Sequence, residues 1–109
     1  MYLVTKPHKT EELNPLEKFE HLDRERSVEV KRYKSGGISW EGLMDRLDHF
    51  IVGVSAIQLN AEGERTFTSI KNLLLRMKSE QKYNTAFELL CTRLHAKIRE
   101  GIQMGDRHG

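Results

Sequence analysis

From Trp40 onward the apolar positions of this chain recur at helical spacing. Trp40, Leu43, Leu47, Phe50, Val54 and Ile57 follow one another at intervals of three and four, and Met44 and Ile51 widen the same stripe, which is the pattern of one buried helical face. It predicts a central helix over 39–60, roughly 30 Å long at about 1.5 Å per residue. Ser39 is placed to cap its start, Glu41 sets an acid in the first turn, where the helix dipole favours one, and Asn60 with Gly63 supplies the expected stop. An isolated helix of that length is marginal in water, so its stripe needs partners.

The partners lie downstream. Phe67, Ile70, Leu73, Leu74 and Met77 repeat the helical period and predict a second helix over 64–79. The repeat then fails, because continuing the register would put Gln81 and Asn84 in the core, so a turn belongs there. Thr85-Ala86-Phe87-Glu88 has the spacing of a capping box, in which hydroxyl and carboxylate each satisfy an orphan backbone N–H. It opens a third helix over 85–104 with the stripe Phe87, Leu90, Cys91, Leu94, Ile98 and Ile102, weakened near its end by Gly101. The last residues, 105–109, are expected to fray. Three amphipathic helices joined by short connections pack most simply as an antiparallel up-down-up bundle, and the expected class is mainly α.

The first 38 residues read differently. Met1 to Val4 suits a short extended segment that Pro7 interrupts, and Asn14-Pro15 opens a short helix to about Arg26 with a thin stripe of Leu16, Phe19 and Leu22. Between Ser27 and Lys34, Val28, Val30 and Arg32 alternate with Glu29, Lys31 and Tyr33, the period of a half-buried strand, although a helical continuation fits the same residues. Ser35-Gly36-Gly37 is the clearest break in the chain. Residues 1–38 are therefore expected to form an arm of one short helix and one or two short extended stretches, lying on the 39–109 bundle or reaching to another chain, within a single domain overall.

At 109 residues and 38% hydrophobic, the chain can bury a core without cross-links. Its 31% charged residues nearly cancel to a net +2, short of the basic excess of a dedicated duplex-binding protein. One cysteine leaves no internal disulfide, and the start does not resemble a signal peptide, so a cytoplasmic location is expected. No apolar run approaches the ~18 residues of a membrane span.

Three groupings could carry chemistry. Cys91 and His95 stand one helical turn apart, but a structural zinc site wants four ligands and no further pair completes the set. Glu41, Asp45, Asp48 and His49 place titratable groups on the central helix, without a second cluster to converge on them. Lys34 to Ser39 sets glycines and a lysine before a helix start, where free N–H groups can hold phosphate, yet the order is not that of a phosphate-binding loop. Each is better explained as core, wetted face or entry loop, and the expectation is a protein with no catalytic site, metal or cofactor.

Two surface features remain. Val52 and Leu59 lie off the central stripe, Leu75 off the next, and Leu89 nearly opposite its own core face, with Arg93 and Lys97 at a rim. An off-face leucine or valine on every helix points to a contact surface for a protein partner or a second copy. From Ala61 onward there are nine basic against six acidic residues, and Lys71, Lys78 and Lys82 fall together beside the stripe. With Lys31, Arg32, Tyr33 and Lys34 they could track a nucleic-acid backbone and offer an aromatic to a base. The reading is a small non-catalytic helical interaction protein, a regulatory or inhibitory adaptor that binds a protein and self-associates. The alternative is a nucleic-acid-binding protein or a helical subunit of a nucleoprotein complex.

Overall fold

A computed structural model describes residues 14–108, with side chains over 14–101, and contains four helices where three and a short fourth were expected. The first, α1 (Pro15–Lys34), begins as its sequence dictates. Asn14 Oδ1 accepts from the Glu17 amide at 2.8 Å, the Glu17 carboxylate accepts from the Asn14 amide at 3.2 Å, and proline occupies the first turn. Basic Lys31, Arg32 and Lys34 end it where the dipole favours cations.

The helix does not stop near Arg26. Residues 27–34 continue it, and no strand occurs among the described residues. Strand alternation would bury Val28 with Val30, but Val30 is 2% exposed and Val28 52%. The buried positions are instead Phe19, Arg26 and Val30, with Leu22 and Tyr33 against the same core, which is helical spacing with an arginine in the middle of the stripe. The extended stretch expected at Met1–Val4 lies outside the described residues.

A five-residue turn (35–39) follows, in which Gly36 takes φ +84°, a conformation that favours glycine. α2 (Trp40–Ser55) starts on Ser39, whose Oγ accepts from the Gly42 amide at 3.0 Å. It ends before the expected Asn60, because that asparagine caps the next helix: its Oδ1 accepts from the Gly63 amide at 2.7 Å, so α3 runs Ala61–Glu80. Ile57 remains buried, turned inward by the connector. α3 closes on Gln81 in the left-handed region, φ 54°.

The last helix, α4 (Ala86–His108), is entered through Asn84, whose side chain accepts from the Ala86 amide at 2.9 Å. Glu88, expected to complete a capping box with Thr85, instead accepts from Tyr83 Oη at 3.0 Å.

α1 packs closely on α2, α3 closely on α4, α1 also lies along α4, and α2 touches α3 least. Neighbours run antiparallel. Tyr33 meets Trp40 across the first turn while Phe19 meets Phe50 near the other end, Glu20 faces His95 while Lys34 faces Glu88, and Glu62 pairs with Lys97 while Asn84 lies against Met77. The result is a four-helix bundle with one core, into which α1 contributes Phe19 and Val30 beside Leu47, Val54, Ile70, Met77, Phe87 and Leu94. Each such side chain contributes about 1.5–3 kcal/mol on burial. α1 and α2 approach so closely that a Cβ on Gly53 would stand 2.7 Å from Leu22 Cδ2. No helix among the described residues is long and apolar enough to cross a membrane.

Candidate interaction surface

The core leaves little for chemistry to use. Cys91 is 1% exposed, and burial pushes its thiol up to about 12, so it stays protonated at neutral pH. His95 turns away from it to α1, where Nε2 meets Glu20 Oε2 at 2.8 Å while Arg99 Nη2 meets Nδ1 at 3.1 Å. Arg99 can only donate, so Nδ1 accepts and the proton sits on Nε2, donated to Glu20. Among the described residues no three His, Cys, Asp or Glu side chains converge as a metal would require.

Among the described residues Arg26 is the one charged side chain in the core, 8% exposed, with Nε donating to Asp23 Oδ1 at 2.8 Å and its guanidinium 5.9 Å from the Phe50 ring centre. Burial works against its charge, but proximity to the Cys91 sulfur and the Asp23 carboxylate outweighs that penalty and raises its pKa. Tyr83 is likewise raised, by burial first and then by the neighbouring Glu88 carboxylate. These groups tie α1 to α4.

The glycines before α2 turn their donors back onto α1. The amides of Ser35, Gly36 and Gly37 turn back onto the carbonyls of Lys31, Tyr33 and Arg32 at 3.1, 3.0 and 2.6 Å, and Ser39 takes up the Gly42 amide.

The surface residues divide by face. Val52 is 68% exposed on α2, Leu75 64% on α3 and Leu89 72% on α4, whereas Leu59 lies in the connector before α3, half-buried against the core. Leu89 points away from the bundle with Arg93 one turn on, and Lys97 is drawn to Glu62 at 2.8 Å and Glu100 at 3.7 Å. That pair holds the Glu62 carboxyl below its usual range and the Lys97 ammonium above its own, chiefly through their mutual hydrogen bond. Leu89 and Lys97 therefore serve a different side of the molecule from Val52.

Val52 and Leu75 flank the one polar contact between α2 and α3 among the described residues. Lys78 Nζ on α3 meets both oxygens of Asp48 on α2, at 2.7 and 2.9 Å. Val52 lies four residues after Asp48, about 6 Å along α2, and Leu75 three before Lys78, about 4.5 Å along α3. The two helices are antiparallel, so both displacements run the same way, and helical rise puts the two positions at about the same height along the α2/α3 seam. Helical spacing continues the strip on α2 through the exposed acids Asp45 and Glu41, and on α3 through Lys71. At the upper end Trp40, Glu41, Met44, Asp45, Lys78 and Gln81 line an open hollow of about 380 Å³.

Most of the basic ridge is answered by acids or rings. Lys78 pairs with Asp48, Arg32 with Glu29 at 3.3 Å, and Lys34 reaches Glu88 at 3.6 Å above the Tyr83 ring. Tyr33 is held edge-on to Trp40, ring centres 5.7 Å apart, and is half-buried. Lys71 lies 4.8 Å over Phe67, and only Lys31, Lys71 and Lys82 of the seven have no acidic or aromatic hydrogen-bonding neighbour among the described residues beyond that ring contact. Sequence reasoning placed the α2 acids and the α3 lysines in separate hypotheses; the seam makes them two rims of one face. The signal was present in their common three-and-four spacing.

Comparisons with models of known protein families, with characterised proteins and with solved structures returned no match. Function is therefore argued from the geometry.

Proposed function

We propose that this protein is a non-catalytic helical interaction module that docks its α2/α3 face onto a protein partner. The observation that carries the reading is the exposure of Val52 and Leu75, 68% and 64%, at positions that flank the Asp48–Lys78 contact on the seam where neighbouring helices touch least. A large aliphatic side chain left in water forfeits about 1.5–3 kcal/mol of burial, and two of them along one seam, rimmed by charges, have the anatomy of a small contact surface with an apolar centre and polar edge. The role is a regulatory or inhibitory adaptor in a soluble setting, and the cytoplasm is the proposed compartment.

The nucleic-acid alternative draws support from Lys31, Lys71 and Lys82 alone. Phosphate tracking needs unpaired cations along a path, and base stacking needs a ring with a free face. Lys78, Arg32 and Lys34 each stand beside a carboxylate that offsets part of their charge, and Tyr33 is held against Trp40.

The test compares the wild type with Leu75→Asp as bait in the source cell, before and after nuclease. The expected outcome is a nuclease-insensitive protein recovered by the wild type and lost with Leu75→Asp. Nucleic acid retained by Leu75→Asp, and released by about 0.3 M salt as counterion release demands, would contradict the proposal and favour the alternative.

A further inference from the structure

We infer that the partner seated on the α2/α3 face is a second copy of this chain, related by a two-fold axis that runs parallel to α2 and α3 along the seam. The inference deepens the proposed protein-binding function and rests on it. Its basis is a division of charge within one face. The α2 rim carries Glu41, Asp45 and Asp48, and the α3 rim carries Lys71 and Lys78, with Lys82 two residues beyond its end. A face acidic along one edge and basic along the other, with apolar residues between, is complementary to itself.

Symmetry decides how two such faces meet. Rotation about an axis along the seam lays α2 of each copy over α3 of the other and preserves height along the helices. Val52 then meets Leu75 of the second copy, and Leu75 meets its Val52, because the two are level. Asp48 then meets Lys78 of the second copy at the same height, and at the upper end the acids Asp45 and Glu41 face the end of α3, where the chain turns through left-handed Gln81 into Lys82. Rotation about an axis across the helices does the opposite: it stacks α3 on α3 and brings Lys78 toward Lys71, a like-charge contact that disfavours association. Only the first arrangement joins apolar to apolar and acid to base.

The experiment is sedimentation equilibrium on the full chain over a concentration series, with Asp45→Lys, Lys82→Glu and the double variant. A dimer is expected, weakened about tenfold by either single reversal and restored to within about threefold by the double, since each reversed pair again carries opposite charges. Oxidative cross-linking fixes the geometry independently. Val52→Cys mixed with Leu75→Cys should link, and neither variant alone should link to itself; native Cys91 is buried and stays out of the reaction.

A wild type that remains monomeric, or a Val52→Cys chain that links to itself, overturns the second-copy inference. The protein-binding function then stands if Leu75→Asp still loses a partner in the cell and falls if it does not. A monomer whose α2 and α3 amides exchange faster once residues 1–13 are removed would assign the face to that segment and overturn both.

Discussion

Between α1 and α4 the contacts run the length of the helices: Glu20 with His95 at 2.8 Å near one end, Arg26 beside Cys91 in the middle, Lys34 with Glu88 at 3.6 Å at the other. Between α2 and α3 the direct polar contact among the described residues is the exposed pair Asp48 and Lys78, flanked by Val52 and Leu75 in water. Both seams close the same bundle. The first does so around one buried charge, Arg26, which is costly to strand and specifies one arrangement, with partly exposed pairs at either end, whereas the second has a surface ion pair worth little by itself and leaves its apolar side chains in water. The difference teaches where a helical bundle keeps its fold and where it has surface to give to another molecule.

The largest effect should come from breaking the first seam. Phe19 is fully buried and packs against Phe50 with ring centres 6.0 Å apart, so Phe19→Ala should cost about 3–5 kcal/mol in a denaturant titration. An arm merely resting on a three-helix core would tolerate it. Leu94→Ala and Leu47→Ala, also fully buried, should cost about 2–5 kcal/mol.

Alkaline pH should act on the same side of the molecule. The Cys91 pKa is raised from an ordinary 9.0 to about 12, so the folded chain keeps its thiol proton where the unfolded chain loses it. Stability from this group is complete below pH 9.0 and declines as pH rises toward about 12. Cys91→Ala should flatten that part of the pH profile, and a thiol reagent at pH 8 should react only as the protein unfolds.

Smaller effects belong to turns and outer faces. Gln81 sits at φ 54°, so Gln81→Gly should stabilise by about 0.5–1 kcal/mol, relief of left-handed strain exceeding the added chain entropy. Leu89→Ala, 72% exposed, should shift the melt by no more than about 0.5 kcal/mol. A loss for Leu89→Ala as large as that for Leu94→Ala would show that the faces of α4 are assigned wrongly.

The stripes of α2, α3 and α4 were legible because apolar residues fill nearly all of their described inward positions, with Thr66 on α3 the uncharged exception. α1 was not, since its stripe runs Phe19, Leu22, Arg26, Val30, Tyr33 and a charged residue at the centre conceals the period; the alternation of Val28 and Val30 then imitates a strand. Asn60 misled for a different reason. Asparagine serves both ends of helices, and only the bond to the Gly63 amide, 2.7 Å, makes it a start. The surface leucines were recognisable as off-stripe, but which of them share a face depends on Asp48 meeting Lys78 from 30 residues away, a tertiary fact that no local period carries.

The measurement that bears most directly on the contrast between the two seams is native-state hydrogen exchange resolved along the chain. If α1 is integral and the α2/α3 face is the one offered to partners, amides of residues 19–33 should be protected to the same free energy as those of α4, opening only when the whole bundle unfolds. Exchange of 19–33 as a separate, weakly held unit, with residues 40–101 still protected, would contradict it: the apolar surface open to a partner would then be the slot beneath α1.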